Sequence, residues 1–560
     1  MPAGPFDLAV IGGGINGAAI ARDAVLRGKS VALLEQGDFA SGTSSASSKM
    51  VHGGIRYLEQ LQLGLVYEAL RERQTLLRVA PHLVRTQRFL LPIYRGARRR
   101  ATWIRLGLFL YDALTLGRRL GRSRFLRPRE IADAAPNLRS EGLVGGALYF
   151  DAVMDDARLC LANVVSAVGE ARAAGTLFVA RNYARVIGRP AAPASGPTDR
   201  RAGAIELELE DLTCGRREAI TAHRVVEARG PWSPPDLLVR SKGVHIVLPE
   251  LVHDHGLLLE HSEDGRVFFV IPWQGFSVVG TTETPFDGDP AHVEVEPHEV
   301  AYLLREVRRV FPTREMSAAD ILGTFAGVRP LAKRRGWFAR SRSANATSRT
   351  HRVIDDGAGT LTVVGGKYTT YRAVAEEVVD RLFPGTHATT ATKELAGGEE
   401  GDLAEFRRRL DPALRARPGD AVLERLFARY GCRLRRVLEL LERDPSLAEP
   451  VAAGCDVLRA EVAHAAIDEL AVTPADVLDR RTTLRFARVA PGEVFDGVAS
   501  VLASYRDFAI EPRLADRAGW LGARAREAAL RQQRTVDGGS DASALQAAAS
   551  ANRGPRGRPG

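Results

Sequence analysis

A single run of six residues, Gly12-Gly13-Gly14-Ile15-Asn16-Gly17, constrains what this chain folds into more than any other stretch. It follows a short apolar segment, Phe6 to Ile11, and leads into a helical pattern from Ala18 to Leu26. A second apolar segment, Ser30 to Leu34, ends in Glu35. The spacing fits G-x-G-x-x-G in a strand–helix–strand unit. Gly12 permits the tight turn, Gly14 lets backbone approach a diphosphate, and Gly17 lets helix and strand pack closely. The helix N-terminus aims unpaired N–H groups and its positive dipole end at the phosphates. Glu35, 18 residues beyond Gly17, is placed to accept from a ribose hydroxyl. The pattern implies one bound dinucleotide, since no second G-x-G-x-x-G occurs.

At 560 residues the chain is long enough for two or more domains. Apolar content of 45% and charged content of 26% are those of a globular protein. A net charge of +10 suits anionic ligands or a membrane surface. The basic residues are scattered and accompany no nucleic-acid module, so no nucleic-acid partner is expected. Cys160, Cys214, Cys432 and Cys455 form no C-x-x-C, which argues for a reducing compartment and against a zinc site or disulfide framework. No metal is expected. The first strand begins too early to leave room for a signal peptide, and no apolar run is long enough to span a bilayer. The cytoplasm is the expected location.

Further along, Ser41 to Glu59 is rich in hydroxyls and small residues and carries Lys49, His52, Arg56 and Tyr57, a segment suited to a phosphate-bearing ligand. Gly64 to Ala80 reads as a helix and Phe89 to Tyr94 as a strand. Thr102 to Gly117 is an amphipathic helix with Trp103, Leu106, Leu110 and Leu114 on one side. Flanking arginines would suit it equally to a membrane interface or to a buried position with a basic end. Asp151 to Ala174 reads as a capped helix and Thr176 to Val186 as a strand. Lys242 to Leu248, Val267 to Trp273 and Phe276 to Thr282 alternate with period two and predict an antiparallel sheet in a second domain. Leu361 to Val364 returns as a strand into Gly365-Gly366-Lys367-Tyr368-Thr369-Thr370. Leu403 to Ala525 is helical throughout, and the Gly/Ala/Ser/Pro-rich end is expected to be disordered.

With these blocks in order, the chain resembles the FAD-dependent glycerol-3-phosphate dehydrogenases of the aerobic, bacterial type, within the D-amino-acid-oxidase-like flavoproteins. IGGGINGAAIARDA, SSASSKMVHGGIRYLE, KGVHIVLP, VGTTE, GVRPL, SRTH and VVGGKYTTYR carry the resemblance, and VAHAAIDELAVTPADVLDRRTTL extends it to residue 484. It implies an α/β fold: a Rossmann-like FAD-binding domain interleaved with an antiparallel-sheet substrate domain, then a C-terminal helical cap. The expected division is a composite region over 1–392, a helical domain over 393–525 and a disordered tail over 526–560. Within the first, FAD segments fall at about 1–80, 150–235 and 350–392, and substrate segments at about 81–149 and 236–349. The implied activity is oxidation of sn-glycerol 3-phosphate to dihydroxyacetone phosphate by hydride transfer to flavin N5, with electrons passed to membrane quinone. Peripheral attachment at the inner face of the cell membrane follows, and a homodimer is compatible with it. No calcium-binding D-x-[DN]-x-[DN]-G loop is present.

The resemblance assigns FAD to Gly12, Gly14, Asn16, Gly17, Glu35, Ser44, Ser45, Ser48, His52, Gly366, Lys367 and Thr369. It assigns substrate to Arg56, Tyr57, Arg329 and Arg349, and catalysis to His245, Arg329 and Lys367. Arginine suits a phosphate dianion because its planar fork makes paired, charge-assisted bonds. His245 is the first candidate for the base, His52 the alternative. Lys367 would place a cation at the flavin N1–C2 carbonyl edge. Arg229 departs from the pattern, standing in Glu227-Ala228-Arg229-Gly230-Pro231-Trp232 where a small hydroxyl residue is usual. Three other readings fit the same residues: an oxidase using oxygen, a flavoenzyme acting on a 2-hydroxy acid or amine, and a catalytically silent, membrane-associated flavoprotein.

Overall fold

A computed structural model describes residues 4–54, 62–96, 101–115, 120–188, 203–333, 351–412, 414, 419–505 and 516–532. Two sheets and a helical region organise them. The first sheet has eight strands. At its centre Phe6–Ile11 lies parallel to both Val31–Leu34 and Arg217–Glu227, with Val10 opposite Leu33 on one side and Val226 on the other. Thr360–Val364 continues the parallel order, and Phe178–Arg181 lies beyond Val31–Leu34. The unbroken apolar runs follow from burial on both faces. Leu8 and Val10 face a core shared with the helices Ile15–Leu26, Asp156–Ala174 and Tyr371–Leu382. Ala9 and Ile11 face the opposite way, packing with Leu207 and Leu209.

The second sheet has ten strands and is mostly antiparallel. Leu238–Pro249 is paired on one side with Phe276–Gly280 and on the other with Gly323–Ala332. In that register His245 lies opposite Phe325, and Ser241 opposite Arg329. Side chains alternate along a strand, so Phe325 and Arg329, four residues apart, share a face. The helix Pro297–Val310 packs with Val244 and Ile246 in a common core. From Leu403 onward the described elements are helices, which gather Phe406, Leu426, Val437, Val462, Val498 and Leu502 into a separate core.

Several expectations need correcting. Asp151 to Met154 is not helix but the end of the strand Leu143–Met154. Pairing with Val84–Tyr94 holds it extended, and the helix starts at Asp156 with Asp155 as its N-cap, accepting from the Arg158 amide. The predicted strand over Thr176 to Val186 is two strands, broken where Tyr183 adopts φ of 55°. The predicted apolar stripe of the helix Ala101–Leu114 is rotated: Leu108 and Tyr111 are buried, whereas Leu106 is exposed. Helix Arg517–Gln532 runs past the expected boundary at 525, because its alanine and arginine content favours helix over tail. The rest of the expected tail, 533–560, lies outside the described residues.

Candidate active site

A cavity of about 970 Å³ opens where the two sheets meet. Its walls come from the glycine turn, the Ser41–Ser48 loop, the Ala228–Trp232 turn, the Gly365–Thr369 segment and the second sheet.

At the first sheet, Gly12 has φ of 109°, and a Cβ there would stand 2.5 Å from the Ala228 carbonyl oxygen. A Cβ on Gly17 would stand 1.8 Å from the Gly12 carbonyl oxygen, so helix and strand close to contact only with glycine. Gly14 occupies the helix N-cap position and has no side chain to cap it. Ser44 does that work from 29 residues away, its Oγ accepting from the Ile15 amide at 2.9 Å. Glu35 accepts from the Gly13 amide at 2.6 Å and the Gly37 amide at 2.7 Å. Burial pushes its carboxyl above the ordinary range, opposed by those two amides. Asn16 donates to the Gly365 carbonyl at 3.4 Å, joining the first cofactor segment to the last. Gly366 turns there with φ of 103°.

At the second sheet, the imidazole of His245 stacks on Phe325 with ring centroids 4.7 Å apart. Its Nε2 lies 2.9 Å from Ser48 Oγ. Burial, with Arg329 and Lys49 nearby, holds His245 well below the usual imidazole range, so the ring is neutral at neutral pH. Arg329 donates from Nη2 to Thr281 Oγ1 at 3.0 Å. A Cβ on Gly243 would stand 2.3 Å from that same Nη2, so glycine makes room for the guanidinium. Lys367 and His52 also line the cavity, and Thr369 donates to the His52 carbonyl at 3.4 Å.

Gly12, Gly14, Asn16, Glu35, Ser44, Ser48, His52, His245, Arg329, Gly366, Lys367 and Thr369 thus line one cavity. Gly17 sits behind it, packing helix on strand. Ser45 is not among the lining residues; its carbonyl accepts from Lys49 Nζ at 2.8 Å. Lys49 turns inward to Asp156 at 2.6 Å and does not reach toward a ligand phosphate. Arg229 is 40% exposed at its side chain and pairs with Glu227 at 3.0 Å. Arg56, Tyr57 and Arg349 lie outside the described residues. Sequence reasoning missed Thr281 and Phe325, which hold Arg329 and His245 in place, although Thr281 stands in the quoted VGTTE block. It also missed Asp151, which lines the cavity, accepts from the Gly53 amide at 2.9 Å and is held by Arg73 at 2.8 Å.

A glycine-turn parallel sheet sharing one cavity with an antiparallel sheet that carries a neutral histidine and an arginine is the plan of a dinucleotide-dependent oxidoreductase. Residues 7–372 match the family model of FAD-dependent oxidoreductases, and 388–510 match the C-terminal domain of alpha-glycerophosphate oxidase. A curated glycerol-3-phosphate dehydrogenase of Synechocystis is 33% identical, covering 90% of this chain and 92% of its own. The aerobic glycerol-3-phosphate dehydrogenase of Escherichia coli is 39% identical, covering 72% of this chain and 79% of its own. The solved glycerol-3-phosphate dehydrogenase of Bacillus halodurans, complexed with FAD, superposes with a TM-score of 0.71 at 27% identity, covering 96% of this chain and 97% of the other. The chain belongs to the FAD-dependent glycerol-3-phosphate dehydrogenase family. The site fits that cofactor: Gly12 and Gly14 line the cavity with no side chain to hold a diphosphate off the backbone, the first residues of the helix Ile15–Leu26 line it as well, and Glu35 stands in its wall, where a carboxylate can accept from a ribose hydroxyl. Among the described residues, no helix is long and apolar enough to cross a membrane.

Proposed function

We propose that the protein oxidises sn-glycerol 3-phosphate to dihydroxyacetone phosphate. The observation that carries this reading is that His245 and Arg329 open into the same cavity as the glycine turn. When bound, FAD would supply a two-electron acceptor for the hydride leaving C2, with membrane quinone as the onward acceptor. Arg329 binds the phosphate dianion, with its fork held by Thr281. His245 is neutral and takes the proton of the C2 hydroxyl, while Ser48 fixes the plane of its ring through Nε2. By the family resemblance Arg56, Tyr57 and Arg349 also bind the substrate, and the positive charge of Lys367 would favour the reduced cofactor. The first sheet holds FAD, the second holds substrate, and the helical region caps both.

Contact with quinone requires a membrane face. Phe109 is 73% exposed and Leu106 54%, with Leu63 and Tyr67 of the neighbouring helix also exposed. Insertion of this patch among lipid headgroups would place the protein peripherally on the inner face of the cell membrane.

The test of the reaction is the flavin absorbance under nitrogen. Glycerol 3-phosphate is expected to bleach it, and unphosphorylated glycerol to do so far more slowly. Bound FAD that glycerol 3-phosphate fails to bleach would reject the reading. Peroxide yield with and without a quinone distinguishes oxygen from quinone as acceptor.

A further inference from the structure

We infer that the helical region holds the cofactor site in shape through a clamp on Asp38, so that FAD retention and docking of that region are coupled. Asp38 lies three residues beyond Glu35, in the loop that wraps the glycine turn. Its carboxylate is fully buried and accepts from both guanidinium nitrogens Nη1 and Nη2 of Arg481, the latter at 2.9 Å. Arg480 adds a third bond, Nε to Oδ2 at 2.6 Å, and Asn182 a fourth at 3.0 Å. These arginines come from 442 and 443 residues away.

The loop so held does two things at the cavity. Its Phe39 ring packs against Gly13, where a Cβ would stand 2.4 Å from Cδ1, and the Ala40 amide donates to the Gly13 carbonyl at 3.1 Å. It also fixes the approach of Glu35, Gln36 and Ser41, all of which line the cavity. Ala40 has φ of 65°, a left-handed conformation that a non-glycine residue keeps only when its surroundings impose it. Arg481 Nη2 also donates to the Glu469 carbonyl at 2.8 Å, so the clamp transmits the position of the helical region to the loop. A buried carboxylate deprived of its arginines would be left uncompensated, and the loop would have to open to hydrate it. Asp38, Arg480 and Arg481 are therefore positioning residues, acting on the cofactor through Glu35 and the glycine turn. Coupling is reciprocal: whatever docking adds to FAD affinity, FAD adds to docking.

The experiment titrates FAD into FAD-stripped protein, following flavin fluorescence, for the wild type, Arg481→Met and Asp38→Asn. The expected result is FAD binding weakened at least tenfold in both variants. A merely structural loss would lower the melting temperature of FAD-free and FAD-loaded protein alike, whereas the clamp narrows the gap between them. Should the variants not fold, wild-type hydrogen exchange decides: exchange across 469–486 is expected to slow at least fivefold when FAD is added. FAD affinity unchanged in folded variants, or exchange there unaffected by FAD, would overturn the clamp. Neither readout involves substrate turnover, so failure of the proposed reaction would leave the result intact.

Discussion

Ser48 Oγ and His245 Nε2 lie 2.9 Å apart, joining the hydroxyl-rich loop after the first sheet to a strand of the second across 197 residues of sequence. Phe325 presses on one side of the ring, with centroids 4.7 Å apart, and Gly280 crowds it closely enough that a Cβ would stand 2.3 Å from Cδ2. The imidazole thus has one orientation, set by residues from three other segments.

Loss of this base should be read in kcat. His245→Gln is expected to lower kcat by about 10²–10⁴-fold while FAD remains bound. Ser48→Ala removes one orienting hydrogen bond and is expected to lower kcat roughly fivefold. A base acts when deprotonated, and the pKa of His245 is depressed, so activity should fall only as pH drops through a value below 6.5. An acid limb of kcat/KM at or above 6.5 that His245→Gln leaves in place would remove His245 from the mechanism.

Arg329→Ala should raise KM for glycerol 3-phosphate far more than for glycerol, by about 10²-fold or more for loss of a paired, charge-assisted contact. Equal effects on the two substrates would show that Arg329 does not touch the phosphate.

Two glycines within helices should respond oppositely to alanine. Gly17→Ala puts a Cβ 1.8 Å from a backbone oxygen and is expected to cost roughly 3 kcal/mol or more and to abolish FAD binding. Gly169→Ala, on the exposed side of the helix Asp156–Ala174 with open space around it, is expected to stabilise by up to about 1 kcal/mol. Thermal melts of both variants provide the check, and equal losses would contradict this packing.

The patch around Phe109 carries the membrane expectation. Wild-type protein should co-sediment with anionic vesicles, less so at high salt, and Phe109→Asp should reduce binding at least tenfold at unchanged activity with a soluble acceptor. Wild-type protein remaining wholly in the supernatant at low salt would refute it.

His82 makes stability fall with acid. Burial and the charge of Arg158 depress its pKa to about 3. The unfolded chain therefore binds the proton more readily between about 6.5 and about 3, and stability declines as pH falls through that window, by up to about 1.4 kcal/mol per unit. His82→Gln should flatten the decline of melting temperature between pH 6 and 4. An unchanged slope would show that His82 is not the group responsible.

The cofactor cradle was legible in the sequence because it is local. Phe6 to Glu35 contains both strands, the helix, the turn and the acid, and steric rules at Gly12 and Gly17 admit essentially one arrangement. Period-two alternation likewise picked out the strand bearing His245 and the strand beginning at Phe276, and motif resemblance singled out Arg329 and Lys367. Local pattern misled where pairing outweighed it: Asp151 to Met154 look able to join a helix, yet the neighbouring Val84–Tyr94 strand keeps them extended. Only the tertiary structure decided that Ser48 meets His245, that Ser44 caps a helix begun 29 residues earlier, and that Arg481 closes on Asp38. A turn or a strand announces itself through sterics and periodicity among near neighbours. A buried hydrogen bond between residues hundreds of positions apart leaves no such periodic trace, because its partners are chosen by the packing of whole elements.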